Sequence, residues 1–122
     1  MPTNRELAEA TFAAFQRGDL EGAFAHTAPD SVFENRTETP GVEGTWHGRE
    51  GFLEMLGKIV EAFSEYRFEL VDVQEPEPDR VVLTLHEFVR GRLSGIAMER
   101  DIVTAYTFSD GKITKVESYL PG

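Results

Sequence analysis

Residues Arg80–Arg90 read RVVLTLHEFVR and residues Ile96–Phe108 read IAMERDIVTAYTF, and these two runs decide the fold. Both are rich in β-branched and aromatic residues, which suit a pleated, half-buried surface. Gly91-Arg92-Leu93-Ser94-Gly95 separates them, and Ser109-Asp110-Gly111 separates the second run from Lys112–Leu120. Asp-Gly between apolar runs is a strong hairpin signal, because both residues tolerate the left-handed backbone of a tight turn. The last third therefore reads as two consecutive hairpins with unusually long strands.

Strand side chains alternate between faces, so each run can be sorted into two sets. Met98, Arg100, Ile102, Thr104, Tyr106 and Phe108 form the more apolar, inward set. Ala97, Glu99, Asp101, Val103, Ala105 and Thr107 form the other. With Leu93-Ser94 at the hairpin tip, Leu83 faces Thr104, and Val81, Leu83, Leu85, Glu87 and Val89 point inward. Glu87 then stands opposite Arg100, two opposite charges on an apolar face. A bulge near Gly91 or Gly95 shifts the register by one residue and turns Glu87 outward, so its direction hangs on the turn. In the last strand Thr114, Val116, Ser118 and Leu120 are expected inside. The outer face receives His86 opposite Asp101, Phe88 near Glu99, and Glu117 and Tyr119.

Upstream, the sequence is helical. Thr3-Asn4-Arg5-Glu6 fits a capping box, and Leu7, Ala8, Thr11, Phe12 and Phe15 follow at helical spacing. Gly18 suits the left-handed residue that ends a helix, and Asp19 can cap a second, short helix through Leu20, Ala23 and Phe24. Ser31–Arg36 reads as a short strand, and Thr37–Gly48 as the longest irregular stretch. A further helix carries Phe52, Leu53, Leu56, Ile59, Val60 and Phe63 on one face. Tyr66–Val73 is a strand by residue type, and Glu75-Pro76-Glu77-Pro78-Asp79 a rigid acidic turn. The order implies one α+β domain over residues 1–122, with helices gathered on one side of a curved antiparallel sheet. A long curved sheet after helical segments suggests a cone with an internal pocket.

Composition narrows the function classes. A net charge of −10, with 12 Lys and Arg, argues against nucleic acid and against an anionic membrane surface. The absence of Cys removes disulfides, thiolate metal sites and a Cys nucleophile. No stretch approaches the roughly 20 apolar residues of a membrane span. The polar, capped start lacks the basic and apolar regions of a signal peptide, so a cytoplasmic location is expected. No pair of the three His residues, His26, His47 and His86, has metal-site spacing, and no metal is expected. His26 follows the short helix and is expected to meet its C-terminal carbonyls.

Four short segments resemble the SnoaL-like branch of the nuclear transport factor 2-like superfamily, the α+β cone shared with ketosteroid isomerase. They are Phe15-Gln16-Arg17-Gly18-Asp19-Leu20, Pro29-Asp30-Ser31-Val32-Phe33, Gly44-Thr45-Trp46-His47-Gly48-Arg49-Glu50-Gly51 and Phe108-Ser109-Asp110-Gly111-Lys112-Ile113. Their order and spacing cover nearly the full chain. The resemblance implies a cystatin-like cone whose sheet wraps around the N-terminal helices, no cofactor, and a homodimer formed through the outer sheet face. It names a scaffold and not a reaction, because one fold hosts many chemistries.

The resemblance to ketosteroid isomerase makes a specific demand: an Asp base with a Tyr and a protonated Asp as oxyanion donors. The matching positions hold Asn35, Thr11 and Thr104. An amide cannot abstract a proton at neutral pH, so steroid isomerisation is not expected. Epoxide hydrolases on this scaffold use two carboxylates about an Arg. Glu87 and Arg100 supply one of each, while Val116 and Ser118 stand where a second acid would be needed. A cyclase or dehydratase needs one acid or base beside an apolar cavity, which Glu87 or Glu34 could supply.

The candidate catalytic residues are therefore Glu87, as acid or base, and Arg100, stabilising a developing oxyanion; the alternative for both is a cross-strand ion pair closing the cone mouth. Candidate ligand-binding residues are Asn35, Trp46, Thr104, Tyr106 and Ser118. Asn35 would orient a ligand by hydrogen bonding, while Trp46 and Tyr106 either stack on it or belong to the core. The expected partner is a small hydrophobic oxygenated molecule. The readings carried forward are a cofactor-free acid–base enzyme (isomerase, cyclase, dehydratase or hydrolase), a non-catalytic binder of such a molecule, and a dimerisation domain.

Overall fold

The computed structural model covers residues Met1–Gly122. The capping box closes as the sequence suggests: Thr3 Oγ1 accepts from the Glu6 N–H and Glu6 Oε1 from the Thr3 N–H, each at 3.1 Å. It starts α1 (Asn4–Gln16), which buries Leu7, Ala8, Thr11, Phe12 and Ala14. Gly18 adopts φ +76° just past this helix, a conformation that glycine enters without steric cost. Asp19 then caps α2 (Leu20–Phe24) by accepting from the Gly22 N–H at 2.9 Å. The carbonyl of Ala25, just beyond α2, is met by Lys112 Nζ at 3.0 Å rather than by the His26 ring.

Six strands follow with one helix among them: β1 (Thr27–Arg36), β2 (Gly44–His47), α3 (Gly48–Ala62), β3 (Phe63–Glu77), β4 (Arg80–Gly91), β5 (Ala97–Ser109) and β6 (Lys112–Tyr119). Three boundaries differ from the sequence reading. β1 begins at Thr27 rather than Ser31. Thr37–Gly48 is not wholly irregular, since Gly44–His47 pairs antiparallel with β1. β3 runs from Phe63 to Glu77, well beyond Tyr66–Val73 at both ends. It accommodates Pro76 because it is an edge strand and its register shifts between Gln74 and Glu77, so the missing N–H removes no required rung.

The strands form one curved, unclosed sheet in the order β2-β1-β6-β5-β4-β3. The parallel pair is β1 with β6, which brings the first and last strands together; all other neighbours are antiparallel. The β4–β5 hairpin keeps a single register from Arg80 opposite Thr107 to Arg90 opposite Ala97. Leu83 therefore lies opposite Thr104, and Glu87 faces inward opposite Arg100. The β5–β6 hairpin does not keep one register: it shifts between Thr107 and Phe108. That bulge turns Ile113 into the core with no exposure, while Thr114, expected inside, stands only half-buried with its hydroxyl on the Thr107 carbonyl.

The main core cluster joins Leu7, Ala8 and Phe12 of α1 to Val81, Leu83 and Leu85 of β4, Ile102, Tyr106 and Phe108 of β5, and Ile113 of β6. Three residues expected inside are exposed instead: Leu53, Val60 and Met98. Leu53 and Val60 lie seven residues apart on the outer edge of α3, of which only Ile59 is fully buried. Met98 sits toward the β4–β5 tip, where Leu93 and Ile96 also reach solvent. No helix is long and apolar enough to cross a membrane.

Candidate functional site

Phe12, Phe15, Phe24, Phe33, Phe52, Tyr66 and Phe68 come from α1, α2, β1, α3 and β3, yet they touch one another in sequence-distant pairs. Phe33 meets Phe52 at 4.8 Å between ring centroids, Phe52 meets Phe24 at 5.4 Å edge-on, and Tyr66 meets Phe68 at 4.9 Å edge-on. Such tilted and edge-on contacts are the arrangements that aromatic quadrupoles favour. The rings do not fill the cone. They enclose, with aliphatic neighbours, a cavity of about 130 Å³. For comparison, a dry engineered cavity of about 150 Å³ admits benzene, so this space suits one ring.

The polar groups of the cavity wall are few and come from defined places. Thr104 of β5 and Ser118 of β6, opposite one another in register, join hydroxyls at 3.0 Å. Thr11 of α1 presents a buried hydroxyl without a hydrogen-bond partner. Tyr66 and Tyr106 bring two phenols. Burial pushes the Tyr66 phenol well above its ordinary 10.0, with the nearby Glu87 carboxylate and Tyr106 adding to the rise. Burial alone does the same to Tyr106. Both phenols are therefore protonated donors at neutral pH.

Charge enters at one corner. Arg100 Nε donates to Glu87 Oε1 at 2.6 Å, Nη1 to the Thr37 carbonyl at 2.5 Å, and Nη2 to Thr39 Oγ1 at 2.7 Å. Glu87 is 6% exposed, and only Oε1 enters this ion pair. Thr37 in turn donates its N–H and its hydroxyl to Asn35 Oδ1, at 3.1 Å and 2.6 Å. The Asn35 amide nitrogen has only Met55 Sδ, at 3.9 Å, as its partner. Thioether sulfur is a weak acceptor, which leaves this donor available to a ligand.

Six of the seven residues singled out from the sequence meet around this one cavity: Glu87, Arg100, Asn35, Thr104, Tyr106 and Ser118. Trp46 does not line it. Its indole N–H is spent on the Val42 carbonyl at 3.1 Å, so the ring ties β2 to the preceding loop. Arg100 differs from expectation in another way, since each of its three nitrogens already has a protein acceptor. Glu34 reaches the cavity margin but pairs with Arg36 at 3.4 Å and Lys115 at 3.6 Å. Tyr66, Thr37, Thr39 and Val42 are wall residues the sequence reading did not single out. The alternation of Tyr66 and Phe68 on one side of β3 was a usable signal for Tyr66, obscured by the register shifts of that strand. No group of three or more His, Asp or Glu side chains converges as a metal site.

Several solved structures share this architecture. TerC, co-crystallised with polyporic acid, is 28% identical with a TM-score of 0.86, covering 97% of this chain and 91% of its own. An NTF2-like protein of unknown function from Burkholderia pseudomallei is 23% identical with a TM-score of 0.87, covering 99% and 92%. A protein of unknown function with a cystatin-like fold from Xanthomonas campestris is 23% identical with a TM-score of 0.83, covering 96% and 89%. No curated protein matches the sequence. Residues 8–116 match the family described as the SnoaL-like domain, nearly the whole of the helices and sheet described above, and the chain belongs to that family.

Proposed function

We propose that the protein binds a small, mostly apolar, oxygenated molecule of about one ring in the cone cavity, and that Glu87 acts on it as a base. The observation that carries this reading is the pairing of an aromatic enclosure with a single ionised corner. Seventeen of the 27 lining residues are hydrophobic, and Glu87 meets Arg100 there at 2.6 Å. A carboxylate so held, with Oε2 outside the ion pair, suits removal of a proton next to a carbonyl. The proton passes to Glu87, the electron pair moves onto the carbonyl oxygen, and a protonated phenol of Tyr66 or Tyr106 hydrogen-bonds the enolate that forms. Return of the proton to another carbon completes an isomerisation. Attack of the enolate on a second carbonyl of the same molecule breaks that C=O π bond, and return of the Glu87 proton to the alkoxide so formed completes a cyclisation. Neither step needs a cofactor. Asn35 Nδ2, with the Thr104–Ser118 hydroxyls, orients the ligand oxygens. The co-crystallisation of TerC with polyporic acid supports small-molecule binding on this scaffold.

Fluorine NMR with 4-fluorophenol tests the binding half. The probe is expected to bind the wild-type chain and to be lost from a Thr104→Phe variant that keeps its fold; binding retained in that variant means the cavity is not the site. Deuterium uptake by cyclic ketones in heavy water tests the chemistry. Uptake that survives Glu87→Gln at the wild-type rate removes Glu87 as the base, and wild-type uptake no faster than without protein leaves a binding protein.

Two copies are also proposed to associate through the outer sheet face, where Arg67 lies over the Phe88 ring at 4.2 Å. Sedimentation equilibrium is expected to give a dimer that Phe88→Glu converts to monomer. A monomeric wild-type chain refutes the proposal.

A further inference from the structure

We propose that Arg100 is a latch: it holds the Thr37–Glu43 segment in place as a detachable wall of the cavity, and ligands reach the pocket by release of that segment. The ligand route rests on the binding reading above, whereas the latch itself does not.

The segment from 37 to 43 has no regular secondary structure, yet Thr37, Thr39 and Val42 within it are buried and line the cavity. Its own hydrogen bonds are local. Thr37 leans on Asn35, the Thr37 and Thr39 hydroxyls meet at 2.8 Å, the Thr39 N–H donates to Glu43 Oε1 at 2.8 Å, and the Val42 N–H to the Thr39 carbonyl at 3.2 Å. Trp46 reaches Val42 from only four residues away. These bonds shape the segment without attaching it to the far wall. The polar attachments that do so are the two from Arg100, to residues 63 and 61 positions away.

The guanidinium is suited to this task. Glu87 engages Nε at 2.6 Å and so sets the plane of the group, leaving Nη1 and Nη2 aimed in parallel at two oxygens of the segment. A lysine carries the same charge but has no rigid fork. The backbone also turns left-handed between the two latched residues and again beyond them. Glu38, Gly41 and Gly44 have φ of +56°, +85° and +117°. Left-handed residues at this density give a chain that is shaped by its anchors more than by its own backbone preference. With Val42 only 1% exposed, outward movement of the segment unplugs one side of the cavity. Arg100 is then a positioning residue that governs access and ligand size, not a group that touches the reacting atoms.

Hydrogen exchange on the 122-residue chain tests the latch, comparing wild type with Arg100→Lys and Thr39→Val. Amide exchange across 37–43 is expected to rise about tenfold or more in Arg100→Lys, as loss of charge-assisted hydrogen bonds implies, with the β4 amides unchanged. Unchanged exchange in the segment overturns the proposal. If exchange rises everywhere in Arg100→Lys, the fold has loosened, and the near-isosteric Thr39→Val decides instead. It is read against Thr37→Val, which removes the shared Thr37–Thr39 hydroxyl contact but leaves both Arg100 attachments. Fluorine line shapes of bound 4-fluorophenol test the route: its dissociation is expected to quicken about tenfold in the variant whose segment is released. Released amides with an unaltered dissociation rate overturn the route. If 4-fluorophenol fails to bind wild type, the binding reading falls, and the exchange data decide the latch alone.

Discussion

The β4–β5 hairpin and the Thr37–Glu43 segment are two walls of the same cavity, joined at Arg100, and they are held by different physics. The hairpin keeps one register over eleven opposed pairs, from Arg80–Thr107 to Arg90–Ala97, and buries Val81, Leu83, Leu85 and Val89. Each rung reinforces its neighbours, so the wall is rigid without help from any single polar contact. The loop segment has no ladder. It buries one large apolar side chain, Val42, and otherwise depends on a chain of hydroxyls and one guanidinium. The difference teaches that one side of the pocket is set by the hydrophobic effect over a broad face, and the other by a few directional bonds. A ligand-binding cavity needs the first for shape and can use the second for access.

The comparison is broken most severely from the hairpin side. Leu83→Ala, at a site with no exposure, is expected to destabilise the protein by about 2–5 kcal/mol through lost transfer energy and the void left behind. Urea unfolding checks this, and a cost near that of a surface substitution would contradict the rigid-wall description.

The joint between the walls comes next. A double-mutant cycle with Glu87→Gln and Arg100→Gln should give a coupling of about 1.5–3 kcal/mol, typical of a hydrogen bond to a charged group. Glu87 is nearly buried, whereas the Arg100 side chain is 26% exposed, so the value belongs at the lower end of that range. Coupling near zero means the two charges are neighbours without being partners.

Substitution in the loop wall alone should cost less. Gly41 has φ +85° and open space around a Cβ, so Gly41→Ala is strained by backbone conformation only, by about 1 kcal/mol. Thermal unfolding with amide exchange across 37–43 separates this local strain from any wider effect; a neutral outcome shows the segment free to relax.

The smallest effect concerns the outer face of the hairpin. His86 lies with Nδ1 2.9 Å from Asp101 Oδ1 and Nε2 3.1 Å from Glu99 Oε1. Hydrogen bonding to Asp101, and then to Glu99, raises its pKa above the ordinary 6.5. Since the folded pKa exceeds the unfolded one, the contribution to stability is complete below the unfolded value and fades as pH rises through the folded one. The His86 side chain is 38% exposed, and screening by solvent keeps the contribution small. His86→Gln should flatten the difference in urea midpoint between about pH 5.5 and about pH 8.5, and NMR titration of the imidazole should give a midpoint above the unfolded value. A midpoint at or below it contradicts the two hydrogen bonds.

Legibility followed the same division. Residues 80–108 were readable because period-2 alternation and a compact turn specify which side chains share a face. Leu83 opposite Thr104 and Glu87 opposite Arg100 both follow from that arithmetic. Thr114 was misplaced because a bulge between Thr107 and Phe108 leaves no mark in residue type. β2 went unseen since four residues, Gly-Thr-Trp-His, carry too little periodicity to register as a strand until β1 pairs with them. Trp46 looked like a ligand contact because an aromatic beside a loop suits stacking, yet its N–H found an acceptor four residues upstream.

The sequence by itself determined the α+β order and the helix caps at Thr3 and Asp19. Once Leu93-Ser94 is taken as the hairpin tip, it also determined the inward faces of β4 and most of β5, with Thr104, Tyr106 and Ser118 on the wall. Asn35 came from the resemblance, and the structure settled the register that turns Glu87 inward. The caps and faces rest on local geometry: cap hydrogen bonds span three residues, and strand faces alternate every second one. Only the tertiary structure decided that β1 lies beside β6, that Tyr66 reaches the cavity, that Arg100 is occupied by Thr37 and Thr39, and that Trp46 turns away. Those outcomes depend on groups brought together across many residues, where curvature, bulges and competition for hydrogen-bond partners choose among arrangements that local preference leaves equal.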